Sequence, residues 1–318
     1  MRAFIFPGQG SQYIGMGKEL HDTYAEAREI FEEVDEALGQ NLSKLMMEGE
    51  ADDLNLTENT QPALMAVSLA VMRVLERQGG IVLRDTVDFA AGHSLGEYSA
   101  LTAVRSFNVP QAASLLRLRG QAMQRAVPVG KGSMAAILGL EIDEVREIAL
   151  NASSRAGPGE TCESANDNSP GQIVVSGHKG AVAKAIELAT EKGAKRAIEL
   201  PVSAPFHSKL MKPAEEEMRE RLDAEQIDIP SVPIVANVTA EAVEDPEEIR
   251  KLLVQQVTGT VRWRESVLWM KEQGVTEMIE LGAGKVLTGL VRRIDRDIAT
   301  LNAETPAQID ELLTKLKG

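Results

Sequence analysis

The chain has 318 residues, 43% hydrophobic and 26% charged, a composition typical of a folded globular protein rather than a disordered one. Its 48 acidic and 34 basic residues give a formal net charge of −14, which argues against nucleic acid as a partner. No segment has the apolar length of a membrane span or signal peptide, and the single cysteine, Cys162, excludes an internal disulfide, so we expect a cytoplasmic protein.

Strands and helices alternate along the first part of the chain. The apolar spacing predicts a strand at AFIF (3–6), helices at 17–38 and 60–78, a strand at VDFAA (87–91), and helices at 94–104 and 109–126. Such alternation is typical of a parallel sheet covered by helices.

The pattern changes between residues 129 and 201, where the predicted order is β-α-β-β-α-β. The α/β pattern then resumes. Its predicted elements are helices at 208–225, 246–257, 263–272, 285–295 and 306–317, and strands at PIVAN (233–237) and TEMIEL (276–281). The predicted fold class is therefore α/β: a parallel-sheet, α/β-hydrolase-like large domain (1–128 and 202–318) with an inserted ferredoxin-like small domain (129–201).

Ser94 lies between two glycines in GHSLGEYSAL (92–101), where a predicted strand meets a predicted helix. In a G-x-S-x-G nucleophile elbow, glycines avoid collisions of Cβ atoms with the neighbouring strand and helix, and the serine sits on strained backbone. The following helix directs N–H groups and its positive dipole end at an oxyanion. A glycine-flanked serine that only caps a helix fits the same five residues, so both interpretations stay open here.

His207 is the strongest candidate when the four histidines are compared as general bases for a serine. His21 lies in a polar stretch, His178 begins a helix of the insert, and His93 adjoins Ser94 too closely for an easy side-chain approach. His207 lies in an irregular, proline-rich segment where the chain leaves the insert, and a surface loop histidine is the alternative. No motif marks one of the many carboxylates as its partner.

Arg119 is a charged residue on an otherwise apolar helix face. Residues three or four apart share this face, and its other members are Ala112, Leu116, Met123 and Val127. A buried guanidinium needs an anion, which either a protein carboxylate or a substrate carboxylate would supply. Periodicity alone favours a structural ion pair.

Four stretches occur together in one order: FPGQGSQ (6–12), GHSLGEYSAL (92–101), NSPGQIVVSG (168–177) with PVSAPFHS (201–208), and ELGAGKVLTGL (280–290). In this order and spacing they resemble malonyl-CoA:acyl carrier protein transacylases of bacterial fatty acid synthesis. The similarity covers nearly the full chain, including the insert.

The resemblance implies a ping-pong acyl transfer. Ser94 would attack the thioester of malonyl-CoA, His207 would take its proton, and the phosphopantetheine thiol of acyl carrier protein would collect the malonyl group. The backbone N–H groups of Gln9 and Leu95 would form the oxyanion hole. The main-chain carbonyl of Arg262 would orient the histidine in place of a carboxylate, although many members have glutamine at this position.

The resemblance also implies the substrate contacts. Arg119 matches the arginine that pairs bidentately with the malonyl carboxylate, and Met123, Asn166 and Phe206 match positions of the acyl pocket. The bulk of Phe206 would leave little room for a 2-methyl branch, and ordinary packing is the alternative for Met123 and Asn166. Neither a cofactor nor a metal is expected.

Other functions with the same site are a free-standing acyltransferase of a polyketide synthase, the acyltransferase of a malonate decarboxylase, and, with less support, a serine hydrolase. Arg119 opposes the hydrolase, since a simple esterase needs no buried cation in its acyl pocket. An acidic carrier would need a local basic patch on this acidic protein. The candidates for that patch are Lys209, Lys212, Lys285, Arg292 and Arg293.

Overall fold

The computed structural model describes residues 1–317 and forms two separate sheets. Residue 318, the last of the predicted large-domain segment, lies outside the described residues. In chain order the strands are β1 (Arg2–Phe6), β2 (Phe89–Gly92), β3 (Gly132–Leu138), β4 (Cys162–Ser169), β5 (Gln172–His178), β6 (Arg196–Glu199), β7 (Ile234–Val235), β8 (Ala242–Val243), β9 (Glu277–Leu281) and β10 (Ala299–Ala303).

The helices cover the sheets and connect their strands. They are α1 (Lys18–Thr23), α2 (Ala25–Leu38), α3 (Leu42–Glu48), α4 (Ala51–Leu54), α5 (Thr57–Arg77), α6 (Leu83–Thr86), α7 (Gly96–Ala103), α8 (Val109–Ala126), α9 (Ile142–Ala156), α10 (Lys179–Glu191), α11 (Lys212–Asp223), α12 (Pro246–Gln256), α13 (Trp263–Glu272), α14 (Val286–Ile294) and α15 (Pro306–Lys317). Within residues 1–317, no helix combines the length and apolar character needed to cross a lipid bilayer.

The large sheet has the strand order β10-β9-β1-β2-β7-β8, and all neighbouring pairs are parallel except β7 with β8. The small sheet has the order β4-β5-β3-β6 and is antiparallel throughout. These two sheets confirm the predicted fold class. The second sheet extends from residue 132 to residue 199, and the predicted boundaries of the insert, 129–201, stay a prediction.

The small sheet has a hydrophobic core of its own. The buried side chains of its strands pack with those of α9 and α10, among them Ile137, Val175, Val145 and Val182. This core is separate from the larger one, which joins α5, α7 and α8 to one face of the large sheet. The elements between residues 132 and 199 therefore have a core of their own, and β4, at the edge of their sheet, is bridged through Asn166 to Val261.

The carboxyl ends of β1 and β2 place two loops side by side. The strands are parallel and in register, with Phe6 opposite Gly92. The loop that follows β1 carries Gln9, and the turn that follows β2 carries Ser94. In parallel sheets, ligands bind outside the carboxyl ends of the strands, so this edge is where a site is expected.

Several predicted elements differ in detail from the structure. The helix predicted at 17–38 is two helices, because Tyr24 has extended backbone (φ −117°, ψ 128°). The helix predicted from residue 94 begins at Gly96, and the one predicted from 208 begins as a short 3₁₀ turn, Lys209–Met211. The elements without a prediction are α3, α4, α6, β8 and β10.

Candidate active site

Ser94 occupies a strained turn that only its glycine neighbours allow. Its φ is +53°, in the left-handed region, where a non-glycine residue is rarely found. A Cβ atom on Gly92 would lie 1.9 Å from the carbonyl carbon of Gly96, and one on Gly96 would lie 2.3 Å from the Phe6 carbonyl oxygen. These contacts favour a nucleophile elbow over a simple helix cap.

Ser94 and His207 form a hydrogen-bonded pair. Ser94 Oγ lies 2.8 Å from His207 Nε2, and the histidine is 4% exposed. On the other side of the ring, His207 Nδ1 lies 2.9 Å from the main-chain carbonyl oxygen of Gln256, at the end of α12. A carbonyl only accepts hydrogen bonds, so Nδ1 carries the proton and the lone pair of Nε2 faces the serine hydroxyl.

The prediction that the carbonyl of Arg262 orients the histidine is wrong. Arg262 precedes α13, and its carbonyl oxygen accepts hydrogen bonds from Ser266 N and Ser266 Oγ, at 2.9 and 3.0 Å. The Arg262 side chain pairs with Glu265 and donates to the carbonyls of Val238 and Thr239. The expected type of partner, a main-chain carbonyl, is present, but Gln256 supplies it.

Burial and the nearby positive charge of Arg119 lower the pKa of His207 to about 3. The hydrogen bond from the ring to the Gln256 carbonyl acts in the opposite direction but does not offset these two causes. The imidazole is therefore neutral at physiological pH and able to accept the proton of Ser94.

Arg119 is 1% exposed and points at the serine. Its Nη1 donates to Gln61 Oε1 (2.7 Å), while Nη2 donates to Gln256 Oε1 (2.9 Å) and Ser94 Oγ (3.2 Å). The guanidinium carbon also lies 5.7 Å from the centroid of the Tyr98 ring. Within residues 1–317 no carboxylate forms an ion pair with Arg119, so the buried cation has only neutral hydrogen-bond partners.

Glu97 and Asn237 complete a buried polar network behind the serine. Glu97 Oε2 accepts hydrogen bonds from Gln256 Nε2 (2.9 Å) and Asn237 N (3.0 Å), and Asn237 Oδ1 accepts one from Ser94 N (2.8 Å). Burial raises the pKa of Glu97 to about 7, although these hydrogen bonds act to lower it. The network joins α7, α12 and the end of β7 around the elbow.

The two predicted oxyanion donors lie on the neighbouring loops already described. A Cβ atom on Gly8 would be 2.6 Å from the His93 carbonyl oxygen, so the loop of Gln9 packs directly against the elbow. The Gln9 side chain is held by Thr57 Oγ1 at 3.0 Å. In the described part of the chain, the N–H groups of Gln9 and Leu95 donate to no protein acceptor. Their role as an oxyanion hole stays a prediction.

The remaining predicted pocket residues are buried but differ in how close they lie to the pair. Met123 is 1% exposed, and its sulfur lies 3.9 Å from Gln61 Nε2, beside the partner of Arg119. Phe206 directly precedes His207 and is 8% exposed. Asn166 is in β4 and bridged to Val261, and its side chain forms no hydrogen bond with Ser94 or His207 among residues 1–317.

The other three histidines are engaged elsewhere. His93 Nε2 lies 2.8 Å from Asn168 Oδ1, His21 Nδ1 lies 3.1 Å from Asp22, and His178 Nδ1 accepts from Thr161 N at 3.0 Å. None of these rings is directed at Ser94.

Four residues of the site have no sequence prediction: Gln61, Glu97, Asn237 and Gln256. Two of them did carry a signal. Glu97 is the single charged residue in GEYSALTA (96–103), and Asn237 is a polar residue at the end of a predicted apolar strand. Gln256 contacts His207 through its main chain, which has no residue-type signature.

Comparison with known proteins gives a consistent result. Residues 3–307 match the family model described as an acyl transferase domain. A malonyl CoA-acyl carrier protein transacylase of Bacillus subtilis is 45% identical over 99% of this chain and 97% of its own length. The crystal structure of an acyl-carrier-protein-S-malonyltransferase from Bartonella henselae has a TM-score of 0.96 and 54% identity, covering 100% of this chain and 99% of that one.

A further solved structure contains a carrier protein. In it, a type II polyketide synthase acyl-carrier protein is in complex with its malonyl-transacylase. The matched chain of that structure has a TM-score of 0.93 and 39% identity to this chain, covering 99% of this chain and 99% of that one.

Proposed function

The chain belongs to the acyl transferase domain family, and from this membership we propose that it transfers a malonyl group from malonyl-CoA to the phosphopantetheine thiol of an acyl carrier protein. Transfer proceeds in two half-reactions through malonyl-Ser94. The protein acts in the cytoplasm, where coenzyme A thioesters and a reduced Cys162 are both expected.

The observation that carries this proposal is the buried charge of Arg119 beside Ser94, which no carboxylate contacts directly within residues 1–317. The guanidinium is 1% exposed and its hydrogen-bond partners are all neutral; the Glu97 carboxylate acts on it only across the Gln256 amide, so no anion is bonded to it. The malonyl carboxylate is separated from the thioester carbon by a single methylene. A group that already reaches Ser94 Oγ at 3.2 Å is thus well placed to pair with that carboxylate in both the thioester and the acyl-enzyme.

In the first half-reaction, Ser94 Oγ attacks the thioester carbon while its proton passes to His207 Nε2. The negative charge on the thioester oxygen is stabilised by the N–H groups of Leu95 and Gln9. Collapse of the tetrahedral intermediate breaks the carbon–sulfur bond, and the proton on Nε2 passes to the departing coenzyme A thiolate. Gln256 holds Nδ1–H throughout, so Nε2 alone exchanges protons.

In the second half-reaction the carrier thiol repeats these steps in reverse. His207 Nε2 takes the thiol proton, sulfur attacks the malonyl-Ser94 ester carbon, and Ser94 Oγ leaves as it regains the proton. The same two N–H groups stabilise the second oxyanion.

Substrate binding also prepares the base. The positive charge of Arg119 is one of the causes that lower the pKa of His207. A malonyl carboxylate neutralises that charge, so the pKa of His207 rises and the imidazole becomes a stronger base when the correct substrate is bound. An acyl group without a carboxylate gives no such increase.

The five basic residues predicted to form the carrier patch divide into two sets. Lys209 pairs with Glu163, and Lys212 pairs with Glu215. Lys285, Arg292 and Arg293 form no ion pair within residues 1–317. They therefore offer the free positive charge that an acidic carrier requires.

The test is transfer to a carrier in its two forms. Protein, malonyl-CoA and holo-acyl carrier protein should yield malonyl-carrier, and apo-carrier without the phosphopantetheine thiol should yield none. Release of free malonate with no malonyl-carrier would instead support a serine hydrolase. A carrier of fatty acid synthesis, a carrier of a polyketide synthase and the carrier subunit of a malonate decarboxylase, used side by side, distinguish the other two functions.

A further inference from the structure

Glu97 is a buried carboxylate that the transfer steps above do not use. It lies in the first turn of α7, is 2% exposed, and follows Ser94 by three residues on a helix buried along its whole length. Burying a carboxylate is costly unless hydrogen bonds compensate it. A residue with this cost is expected to provide something that an apolar side chain cannot.

Its two donors come from different segments, and each donor also holds a group of the site. Asn237 donates its N–H to Glu97 Oε2 (3.0 Å) and accepts the N–H of Ser94 on Oδ1 (2.8 Å). Gln256 donates Nε2 to the same Oε2 (2.9 Å) and accepts Nδ1–H of His207 on its main-chain carbonyl (2.9 Å). Glu97 Oε2 is therefore linked through Asn237 to the backbone N–H of Ser94, and through Gln256 to Nδ1–H of His207.

The carboxylate also determines which way the Gln256 amide faces. Because Glu97 Oε2 accepts both hydrogen bonds, Nε2 of Gln256 must point toward it, where it also donates to the Ser94 carbonyl at 2.9 Å. Oε1 is then left facing Arg119 Nη2 at 2.9 Å. The reversed amide would direct N–H groups at the guanidinium, donor against donor.

A second buried carboxylate shows the contrast. Glu280 is fully buried and accepts hydrogen bonds from Leu287 N (3.0 Å) and Thr288 N (2.7 Å), both in the first turn of α14. Its role is that of a helix cap, since both donors belong to one helix end. The donors to Glu97 belong to neither its own helix nor one common element.

We propose that Glu97 is a positioning residue for acyl transfer: the acceptor atom Oε2 fixes Gln256 and Asn237 and so holds Ser94, His207 and Arg119 in their relative places. This inference rests on the proposed malonyl transfer. This role depends on the position of the acceptor atom and not on its charge. An amide oxygen at the same position can therefore fulfil it, whereas a carboxylate on a side chain shorter by one methylene cannot.

Two substitutions separate position from charge. Glu97→Gln keeps the side-chain length and an acceptor oxygen but cannot ionise. Glu97→Asp can still ionise but withdraws the acceptor by one methylene. For acylation of Ser94 by malonyl-CoA, we expect kcat/KM within about threefold of wild type for Glu97→Gln and at least about tenfold lower for Glu97→Asp. Glu280→Gln is the matched control for a lost buried carboxylate and should leave the ratio of malonyl to acetyl kcat/KM unchanged.

A double-mutant cycle tests whether Glu97 acts through Gln256. Gln256→Met leaves the main-chain carbonyl on His207 but removes the amide, and alone it should lower malonyl acylation at least about tenfold. In the Gln256→Met background, Glu97→Asp should lower kcat/KM by a smaller factor than it does in the wild-type background, because only its contact with Asn237 is left to lose.

Three results would overturn the inference: Glu97→Asp acylated at the wild-type rate, Glu97→Gln impaired as strongly as Glu97→Asp, or fully additive losses in the cycle. If Glu97→Asp does not fold, the inference is tested by Gln256→Met alone: acylation of that variant at the wild-type rate would overturn it. Wild-type protein is measured alongside, so a missing malonyl adduct there would contradict the proposed function, whereas a normal adduct on Glu97→Asp contradicts only the role of Glu97.

Discussion

Replacing Arg119 with alanine should change which acyl group the protein prefers. The guanidinium is 1% exposed and donates to three neutral acceptors, one of which is Ser94 Oγ at 3.2 Å. A hydrogen bond to a charged group contributes about 1.5–3 kcal/mol. Losing a bidentate pair with malonate should therefore lower kcat/KM for malonyl-CoA by about a hundredfold, which corresponds to about 2.7 kcal/mol.

Acetyl-CoA should respond in the opposite direction. It has no carboxylate, so in the wild-type protein it leaves the buried guanidinium without an anion, a penalty that Arg119→Ala no longer has. Removing the positive charge also raises the pKa of His207 and strengthens the base. We expect kcat/KM for acetyl-CoA to be held or increased.

The assay is the rate of Ser94 acylation with each thioester, expressed as the malonyl to acetyl ratio of kcat/KM. Arg117→Ala is the matched control, since Arg117 lies on the same helix but bonds to Asn59 and Gln40, away from the serine. Its ratio should stay at the wild-type value. Arg119→Lys keeps the charge without the planar fork and should fall between wild type and Arg119→Ala.

A fall in both rates by the same factor in Arg119→Ala would refute this reasoning. It would make Arg119 a structural residue whose loss only loosens α8, as its periodicity alone indicated.

Four further outcomes are expected. His207→Ala should lower acylation by about 10²–10⁴-fold, and near-normal transfer would point to another base. Because the pKa of His207 is about 3, kcat/KM for acylation should not fall near pH 6.5, the ordinary histidine pKa. As pH falls from about 6 to 4, His207 is protonated in the unfolded chain but not in the native state, so the free energy of unfolding of wild type should fall by about 1.4 kcal/mol per pH unit relative to His207→Gln. Equal pH dependence of unfolding in the two proteins would contradict this pKa. Gly96→Ala, whose Cβ would lie 2.3 Å from the Phe6 carbonyl oxygen, should lower both the melting temperature and acylation, and an unchanged protein would exclude the elbow geometry. Lys285→Glu should slow transfer to the carrier and spare acylation by malonyl-CoA, unlike Lys184→Glu on the insert, and equal loss of both half-reactions would indicate damage to the fold.

The residues that were predictable from the sequence are those with a local signature. Ser94 has glycines at the spacing that an elbow requires, His207 is one of only four histidines, and Arg119 interrupts an apolar helix face. Each signature reflects a constraint within one element, and so it can be recognised before the fold is known.

The residues that were not predictable depend on contacts between distant segments. The carbonyl that orients His207 belongs to Gln256 because α12 ends there, and Arg262 is instead occupied with the start of α13. Every residue has a main-chain carbonyl, so the residue type does not show which carbonyl accepts the hydrogen bond from His207. That is decided by tertiary packing.

The same limit applies to the fold. Alternation of apolar segments predicted the parallel sheet and the β-α-β-β-α-β order of the insert, because buried strands and amphipathic helices differ in period. Strand β10 was missed because ATLNA (299–303) lies at the edge of the sheet and, apart from Ala303, is not fully buried. An edge strand needs little apolar sequence, so its pairing partner decides its conformation.

The most direct measurement of the central claim is the intact mass of the protein after exposure to malonyl-CoA alone. Wild type should gain one malonyl group, mapped by peptide digestion to Ser94, and should lose it when holo-acyl carrier protein is added. Ser94→Ala should gain none. A wild-type protein that acquires no adduct, or a Ser94→Ala protein that still does, would contradict the assignment of Ser94 as the nucleophile of a malonyl transfer.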